Sequence, residues 1–130
     1  MGNDYLHSDL TSEIIKRFYI VYNKLGYGFL EKVYEKALKH ELENAGLWVE
    51  SQKPIKVYYE TEIVGEYYAD LLIENKVIIE LKAASAICEE HEIQLINYLK
   101  ATKIEVGLLL NFGKTPEVKR KAFSNINKQK

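Results

Sequence analysis

The chain has 130 residues, of which 47% are hydrophobic and 28% charged, with only two prolines and seven glycines. These values suit one globular domain and exclude two full domains, a disordered chain and a fibrous protein. The formal net charge of −1 argues against a protein that coats nucleic acid through charge alone.

Two helices are predicted before any strand. Apolar residues recur at helical spacing over residues 10–25, and a second such pattern follows the glycines at 26 and 28 and stops at Gly46, where a helix end prefers glycine. The candidate N-terminal caps of the first helix are Asp9, Thr11 and Ser12. The apolar positions of the two helices are Ile14, Phe18, Val21 and Leu25, then Leu30, Val33, Ala37, Leu38 and Leu42.

A three-stranded meander is predicted next, because residues 48–83 are rich in Val, Ile and Tyr. With breaks at Pro54 and at two polar turns, the strands fall near residues 55–60, 63–73 and 77–83. A helix over about residues 87–101 follows, with an apolar stripe of Cys88, Leu95, Ile96 and Leu99. The run at residues 106–110 is typical of a strand buried on both faces. The predicted fold class is therefore α/β (α+β), with helices, three-stranded meander, helix and buried strand in the order αβββαβ.

The two ends of the chain carry separate expectations. The first seven residues have neither a basic start nor an apolar core for export, and the apolar runs are shorter than the roughly 18 residues of a membrane helix. We therefore expect a cytoplasmic protein without a membrane partner. Residues 113–130 hold six basic residues against one acidic residue, which fits either a frayed, solvated end or a phosphate contact. We expect one domain over residues 1–130, with residues 124–130 as a mobile basic tail.

Cysteine and histidine offer little chemistry in this sequence. Cys88 is the only cysteine, which excludes an internal disulfide, and we expect it to be a buried thiol. The three histidines show no metal-ligand spacing. Any metal is therefore expected on oxygen ligands.

The most informative segment is the hairpin predicted over residues 69–82. If Ile73 pairs with Val77 around the turn at 74–76, Asp70 lies opposite Glu80, and Lys82 projects from the same face. This register makes the opposite face entirely apolar, with Ala69, Leu71, Ile73, Val77, Ile79 and Leu81.

Two interpretations of these three charged residues remain open at this point. One is a cross-strand ion pair on a solvated face. The other is a cation site, because two opposed carboxylates repel each other and Mg²⁺ prefers oxygen ligands. In the second interpretation, Lys82 stabilises charge on a substrate phosphate.

These residues resemble a known family. Asp70 followed by Glu80-Leu81-Lys82 resembles the catalytic motif of the PD-(D/E)XK nuclease superfamily, with Ala69 in place of the proline. The segment from Gly28 to Tyr34 matches the motif of its GxxExxY subfamily, and Gln94 with Tyr98 matches the Gln-x-x-x-Tyr of related nucleases. The resemblance covers about residues 10–123 and implies a restriction-endonuclease-like core.

The resemblance also implies roles for single positions. Asp70 and Glu80 look like the principal metal ligands, helped by the Leu81 carbonyl, while Glu31 looks like an additional acidic ligand and Lys82 like the catalytic lysine. Gln94 and Tyr98 share one face of their helix, either as substrate contacts or as a polar pair that caps the sheet edge. Gly28 and Tyr34 are interpreted as structural support.

The function implied by the resemblance is metal-dependent hydrolysis of phosphodiester bonds in nucleic acid, DNA in preference to RNA. The expected cofactor is Mg²⁺, for which Mn²⁺ substitutes. The alternative is a catalytically silent nucleic-acid or protein binding module on the same fold. A homodimer through the Tyr-rich meander is a further expectation, whereas the tyrosines at 58–59 and 67–68 are expected to place one ring on each sheet face without an indicated stacking role.

Overall fold

A computed structural model describes residues 6–128 of the protein. Most of the N-terminal segment used for the cytoplasmic expectation, residues 1–5, lies outside the described residues, as do residues 129 and 130 of the expected tail. None of the helices in the described part is both long and apolar enough to cross a membrane.

The described chain forms three helices, one short 3-10 helix and five strands. The elements in chain order are α1 (Ser8–Leu25), α2 (Glu31–Asn44), β1 (Val49–Tyr59), β2 (Glu62–Ile73), β3 (Val77–Lys82), α3 (Glu89–Lys100), β4 (Val106–Asn111), β5 (Glu117–Ala122) and the 3-10 helix Asn125–Asn127. The strands form one sheet in the order β1-β2-β3-β4-β5, in which only β3 and β4 are parallel. The predicted order of elements is present, with β5 added at the edge.

Helices cover both faces of the sheet. One apolar cluster joins α1 and α2 to one face through residues such as Phe18, Leu38 and Leu108. A second cluster joins α3 to the other face through Leu95 and Leu99. Every residue of β4 is buried, as predicted for a strand covered on both sides. The central strands are therefore held rigidly between two layers of helix.

The helix boundaries and inward faces differ in part from the predictions. α1 begins at Ser8, so the candidate caps Asp9, Thr11 and Ser12 lie inside the helix, and no side chain caps its N-terminus. In α2, Leu30 precedes the helix and is 80% exposed. Gly46 follows α2 with a φ of 85°, as expected for a glycine just past a helix end.

The first strand also starts earlier than predicted. β1 begins at Val49 and contains Pro54, so the predicted break at Pro54 is wrong. Proline is tolerated there because β1 is an edge strand, where a missing N–H leaves no buried acceptor unpaired.

The inward face of α3 needs one correction. Cys88 lies before the helix and is exposed, so the expectation of a buried thiol is wrong. The residues of α3 that are buried are Leu95, Tyr98 and Leu99. At the chain end, the Lys128 ammonium donates to the Thr102 and Ile104 carbonyls, which attaches the described part of the predicted tail.

β1 and β2 extend far beyond the rest of the sheet. β3 pairs with β2 only at residues 71–73, whereas β1 pairs with β2 along almost its whole length. Residues 53–69 therefore form a two-stranded arm.

The turn before α2 is held by Tyr34. The chain takes positive φ angles of 71° at Gly26 and 110° at Gly28, which favour glycine. The Tyr34 hydroxyl donates to the Gly26 carbonyl at 2.7 Å and accepts from the Phe29 N–H at 3.1 Å. Its ring is fully buried and stacks on Phe112 with 4.3 Å between centroids. Gly28 and Tyr34 thus support the turn that delivers the first residue of α2.

We expect Tyr34→Phe to lower the free energy of unfolding by about 1–3 kcal/mol, because it leaves the Gly26 and Phe29 backbone groups without their partner. Urea denaturation measures this difference. Tyr27→Phe is the matched control, since Tyr27 lies in the same turn with a 56% exposed side chain. Equal stability of Tyr34→Phe and wild type would show that water replaces the hydroxyl.

Candidate active site

Asp70 and Glu80 lie where β2 and β3 separate. The backbone pairs are Leu71 with Ile79, Leu72 with Ile78 and Ile73 with Val77, which is the predicted register. Beyond these pairs, hydrogen bonds from backbone N–H groups to side-chain carboxylates replace the backbone-to-backbone hydrogen bonds between the two strands. The Asp70 N–H donates to Glu80 Oε2 at 2.9 Å, and the Leu81 N–H donates to Asp70 Oδ2 at 2.8 Å. Each carboxylate is therefore fixed by the backbone of the opposite strand.

β2 bends at the same point. Gln52 of β1 has a φ of 52° and no backbone pair with β2, and Asp70 is the unpaired residue across from it. Ala69 packs with Ile55 on the α3 side, whereas Leu71 packs on the side of α1 and α2. The prediction that Ala69 continues the apolar face of Leu71 is therefore wrong, because the alternation of side chains is broken at Asp70.

The surroundings of the two carboxylates, of which Glu80 is buried and Asp70 half-buried, make their ionisation unfavourable. Glu80 is 5% exposed, and burial together with the charge of Asp70 raises its pKa to about 8, against the opposing effects of the Asp70 N–H and Lys82. Burial also raises the pKa of Asp70, opposed by the Leu81 N–H and reinforced by the charge of Glu35. The folded protein thus holds two acids that are destabilised as anions.

Lys82 lies close to both acids but forms no ion pair with them. Its charge lowers the pKa of Asp70 and that of Glu80. Within residues 6–128, however, no carboxylate oxygen lies within 4.0 Å of its ammonium. A direct cross-strand ion pair is therefore not what this lysine makes, and its ammonium remains available to an anion.

Helix α2 brings two more carboxylates to this end of the sheet. Glu31 is the exposed first residue of α2, and its charge raises the pKa of both Asp70 and Glu80. Glu35, one turn later, is buried and accepts hydrogen bonds from Gln52 Nε2 at 3.0 Å and from the ammonium of Lys32 at 3.4 Å.

Sequence reasoning missed Glu35. Its signal was its position, because it follows Glu31 by one helical turn and precedes the buried Leu38 by three residues. A charged residue on the inward side of an amphipathic helix indicates a partner, and the partner here is the amide of Gln52 at the bend in β1.

The oxygen atoms that the site offers as ligands are of the type that binds a divalent cation. In the part of the chain that the structure describes, no three His, Cys, Asp or Glu side chains form a ready cluster of metal ligands. Asp70 and Glu80 alone present paired carboxylate oxygens, the ligand type that Mg²⁺ prefers. A cation between them would also remove the repulsion that raises the pKa of Glu80. Glu31 stays a predicted third ligand.

Gln94 and Tyr98 lie on the α3 side of the site and line one groove. This groove runs between the arm and α3 and has a volume of about 1470 Å³. The Tyr98 ring lies 5.7 Å from that of Tyr67, centroid to centroid. Burial, then the charges of Glu80 and Asp70, raise the pKa of Tyr98 to about 12, so Tyr98 connects the groove to the carboxylate pair.

The chain segment after Lys82 is anchored by a buried amide. Asn111 is fully buried, accepts from the Ala84 N–H and donates to the Ala84 carbonyl and to Glu117, each at about 3 Å. The Lys82 carbonyl accepts the Phe112 N–H at 2.8 Å. Gly113 packs so tightly against the Ala84 carbonyl that a Cβ atom has no room. The backbone that carries Lys82 is therefore held in place from β4.

Comparisons with known proteins agree with this geometry. The family model described as PD-(D/E)XK nuclease superfamily matches residues 8–122. Among solved structures, the crystal structure of SSO0001 is similar, with a TM-score of 0.54 and 20% sequence identity, over 91% of this chain and 60% of that chain. This chain thus spans less than two thirds of that protein, and a likeness at this identity shows the fold alone. No curated protein matches the sequence.

We expect the thermal stability of Glu80→Gln to exceed that of wild type in metal-free buffer, by an amount that grows with pH. The folded protein holds the Glu80 proton up to about pH 8, whereas the unfolded chain releases it near the ordinary value of 4.5. Wild type therefore loses stability between these pH values, and the glutamine does not. The expected gain at pH 8 is about 1–3 kcal/mol.

Melting temperatures from pH 4 to pH 8, with EDTA present, measure this difference. Glu62→Gln is the control, because Glu62 is an exposed residue of β2. If Glu80→Gln melts below wild type at pH 8, the hydrogen bond from the Asp70 N–H outweighs the cost of the buried charge.

Proposed function

Because the chain belongs to the PD-(D/E)XK nuclease superfamily, we propose that it is a divalent-metal-dependent nuclease that hydrolyses phosphodiester bonds, with Mg²⁺ as its metal and Mn²⁺ as a substitute. The substrate we propose is nucleic acid, DNA in preference to RNA. The match to the GxxExxY motif, at Gly28, Glu31 and Tyr34, supports placing the chain in that subfamily.

The observation that carries this proposal is the pair of the buried Glu80 and the half-buried Asp70 beside a lysine without an ion pair. Asp70 and Glu80 are destabilised as anions, and a purely structural role offers no compensation for that cost. Strongly shifted acids with a specific charged neighbour are typical of functional sites. The site therefore has the charge distribution of a place that binds a cation and then an anion.

The proposed roles follow from the positions of these side chains. A bound divalent ion supplies a water of lowered pKa and neutralises charge at the phosphate. Asp70 and Glu80 hold the ion with the oxygen that each keeps free of the backbone, together with the Leu81 carbonyl and Glu31. Lys82 donates to a phosphoryl oxygen as charge develops on it. Gln94 and Tyr98 contact the strand beside the reacting phosphate.

A binding module without catalysis is the second candidate, and the groove between the arm and α3 favours it, since the groove offers a binding surface that needs no metal. Two further proposals concern the surroundings of the protein. We propose a homodimer, because C2 dimers are the commonest oligomers and the Tyr-rich meander leaves apolar residues uncovered, such as Ile63, which is 54% exposed. We also propose a cytoplasmic location.

We expect Mg²⁺ or Mn²⁺ to raise the melting temperature of wild type, because the ion binds the folded protein only; at 100 times the dissociation constant the gain is about 2.7 kcal/mol. Glu31→Gln should need more metal for the same shift, since it removes one proposed ligand. Calorimetric titration and metal-dependent melting measure both affinities. Glu43→Gln is the control, as an exposed acid on the same helix. Unchanged metal affinity in Glu31→Gln would assign Glu31 to the surface.

We expect Lys82→Ala to lower the cleavage rate by roughly 10²–10³, by analogy with the loss of one preorganised donor, and to leave the melting temperature close to that of wild type. Cleavage of labelled DNA and RNA with Mg²⁺, and thermal melting, are measured side by side. Lys76→Ala is the control, because Lys76 is the exposed lysine in the turn of the same hairpin. A lower melting temperature with unchanged cleavage would reverse the assignment and make Lys82 a structural residue.

A further inference from the structure

We propose that the groove between the arm and α3 binds single-stranded nucleic acid by stacking unpaired bases on its aromatic rings. Delivery of that strand to the carboxylate pair rests on the proposed nuclease function. Binding in the groove does not, and it can be measured without cleavage.

The first support is the set of rings along the groove. Those that line it are Tyr58, Tyr59, Tyr67, Tyr98 and Phe123. Tyr58 is 59% exposed, Tyr59 69% and Tyr67 47%. Both Tyr58 and Tyr59 line the groove, at the point where the register between β1 and β2 shifts. One ring per face stays a prediction for this pair. Exposed rings along a groove are the feature on which unpaired bases stack.

The second support is the size of the groove. Its volume of about 1470 Å³ exceeds the range of about 300–1,000 Å³ that is typical of small-molecule pockets. One wall of the groove is the two-stranded arm, and the other is α3 together with Phe123, Asn127 and Lys128 near the chain end. The groove therefore suits a polymer strand that passes along it.

The third support is continuity with the catalytic end of the sheet. Tyr98 lines the groove, and its hydroxyl lies close enough to Glu80 and Asp70 for their charges to act on it. Tyr98 itself is only 6% exposed, so the exposed ring for stacking at this end is Tyr67, whose centroid lies 5.7 Å from that of Tyr98. A strand that stacks on Tyr67 therefore passes over the side of the groove that leads to the carboxylate pair.

The charges of the groove favour stacking over charge as the source of affinity. Lys100 and Lys128 line it, but so do Glu60 and Glu90, so these four side chains carry no net charge. The Lys100 ammonium lies 5.5 Å from the centroid of the Phe123 ring, where a phosphate beside a stacked base can reach it. Duplex DNA depends on phosphate contacts and hides its base faces, so this groove selects unpaired strands.

The test is fluorescence anisotropy in EDTA with labelled single-stranded DNA and RNA of about twelve nucleotides, and with the matching DNA duplex. We expect wild type to bind the single strands more tightly than the duplex. Tyr67→Ala should weaken single-strand binding by roughly 5- to 100-fold. The matched control is Tyr68→Ala, because Tyr68 is the next residue of the same strand, points to the opposite face and is 49% exposed.

A second variant keeps the test decisive. Tyr59→Ala lies at the end of β1, beside the hairpin turn, where its 69% exposed ring adds little to folding, and we expect it to weaken binding as well. Both variants are checked by thermal melting. The Lys128 ammonium is already hydrogen-bonded to the Thr102 and Ile104 carbonyls, which leaves Lys100 as the lysine of the groove for a phosphate. The plot of log affinity against log salt concentration should therefore have a slope of only about −0.7. The DNA and RNA arms show which sugar the groove accepts.

Several results would overturn the proposal. These are no binding of single strands, tighter binding of the duplex, or equal losses in Tyr67→Ala and Tyr68→Ala. Sedimentation that shows wild-type oligomers dispersed by Tyr67→Ala would instead assign the groove to a second copy of the chain. If single strands do not bind in the groove while Lys82→Ala abolishes cleavage, the proposed nuclease function is supported and the proposed role of the groove is wrong. If single strands bind as expected while no metal binds and no substrate is cleaved, the proposed role of the groove is supported and the proposed nuclease function is wrong.

Discussion

The exchange of hydrogen bonds between Asp70 and the β3 strand is the interaction on which the rest of the site depends. At this level of the sheet, the backbone N–H groups of Asp70 and Leu81 donate to side-chain carboxylates instead of continuing the ladder. Two strands can separate here without leaving these donors unpaired. The separation brings two acids together, and the same hydrogen bonds make their ionisation less costly than burial alone would.

The surrounding fold confines the loss of strand pairing to this end of β2 and β3. β3 is buried and pairs along its whole length with β4, so the strand that carries Glu80 and Lys82 stays in place although its pairing with β2 ends early. Asn111 and Phe112, at the end of β4, fix the backbone on the far side of Lys82. Precise positions of catalytic groups require such support, because small displacements of reacting atoms are costly in rate. Rigidity from the central strands thus allows an irregular sheet end.

Much of this arrangement could be predicted from the sequence, and the failures have a common cause. Alternation of apolar residues fixed the register of the hairpin, because a slip by one residue would have exposed the core face. Glu35 and the packing of Ala69 on the α3 side were missed because both depend on the bend at Gln52 and Asp70. Pro54 was wrongly predicted to break β1, because proline is tolerated in an edge strand and the sequence does not show which strand lies at the edge. Cys88 was wrongly predicted to be buried, because α3 begins one residue after it. Local pattern predicts regular structure, and the site lies where regularity ends.

The charge of the whole molecule fits a site that recognises its substrate locally. A net charge of −1 gives no long-range attraction for a polyanion, and the acids of α2 and β2 concentrate negative charge at the proposed reacting end. Under the proposed function, a phosphate is repelled from this end until a cation neutralises it, so metal binding precedes productive substrate binding. Lys82 alone does not reverse that order, since a single ammonium faces Asp70 and Glu31, and Glu80 adds a further negative charge once it is ionised. A groove lined by rings can hold a strand without opposing that sequence of events, because stacking does not require the charge of the protein to be complementary to that of the strand.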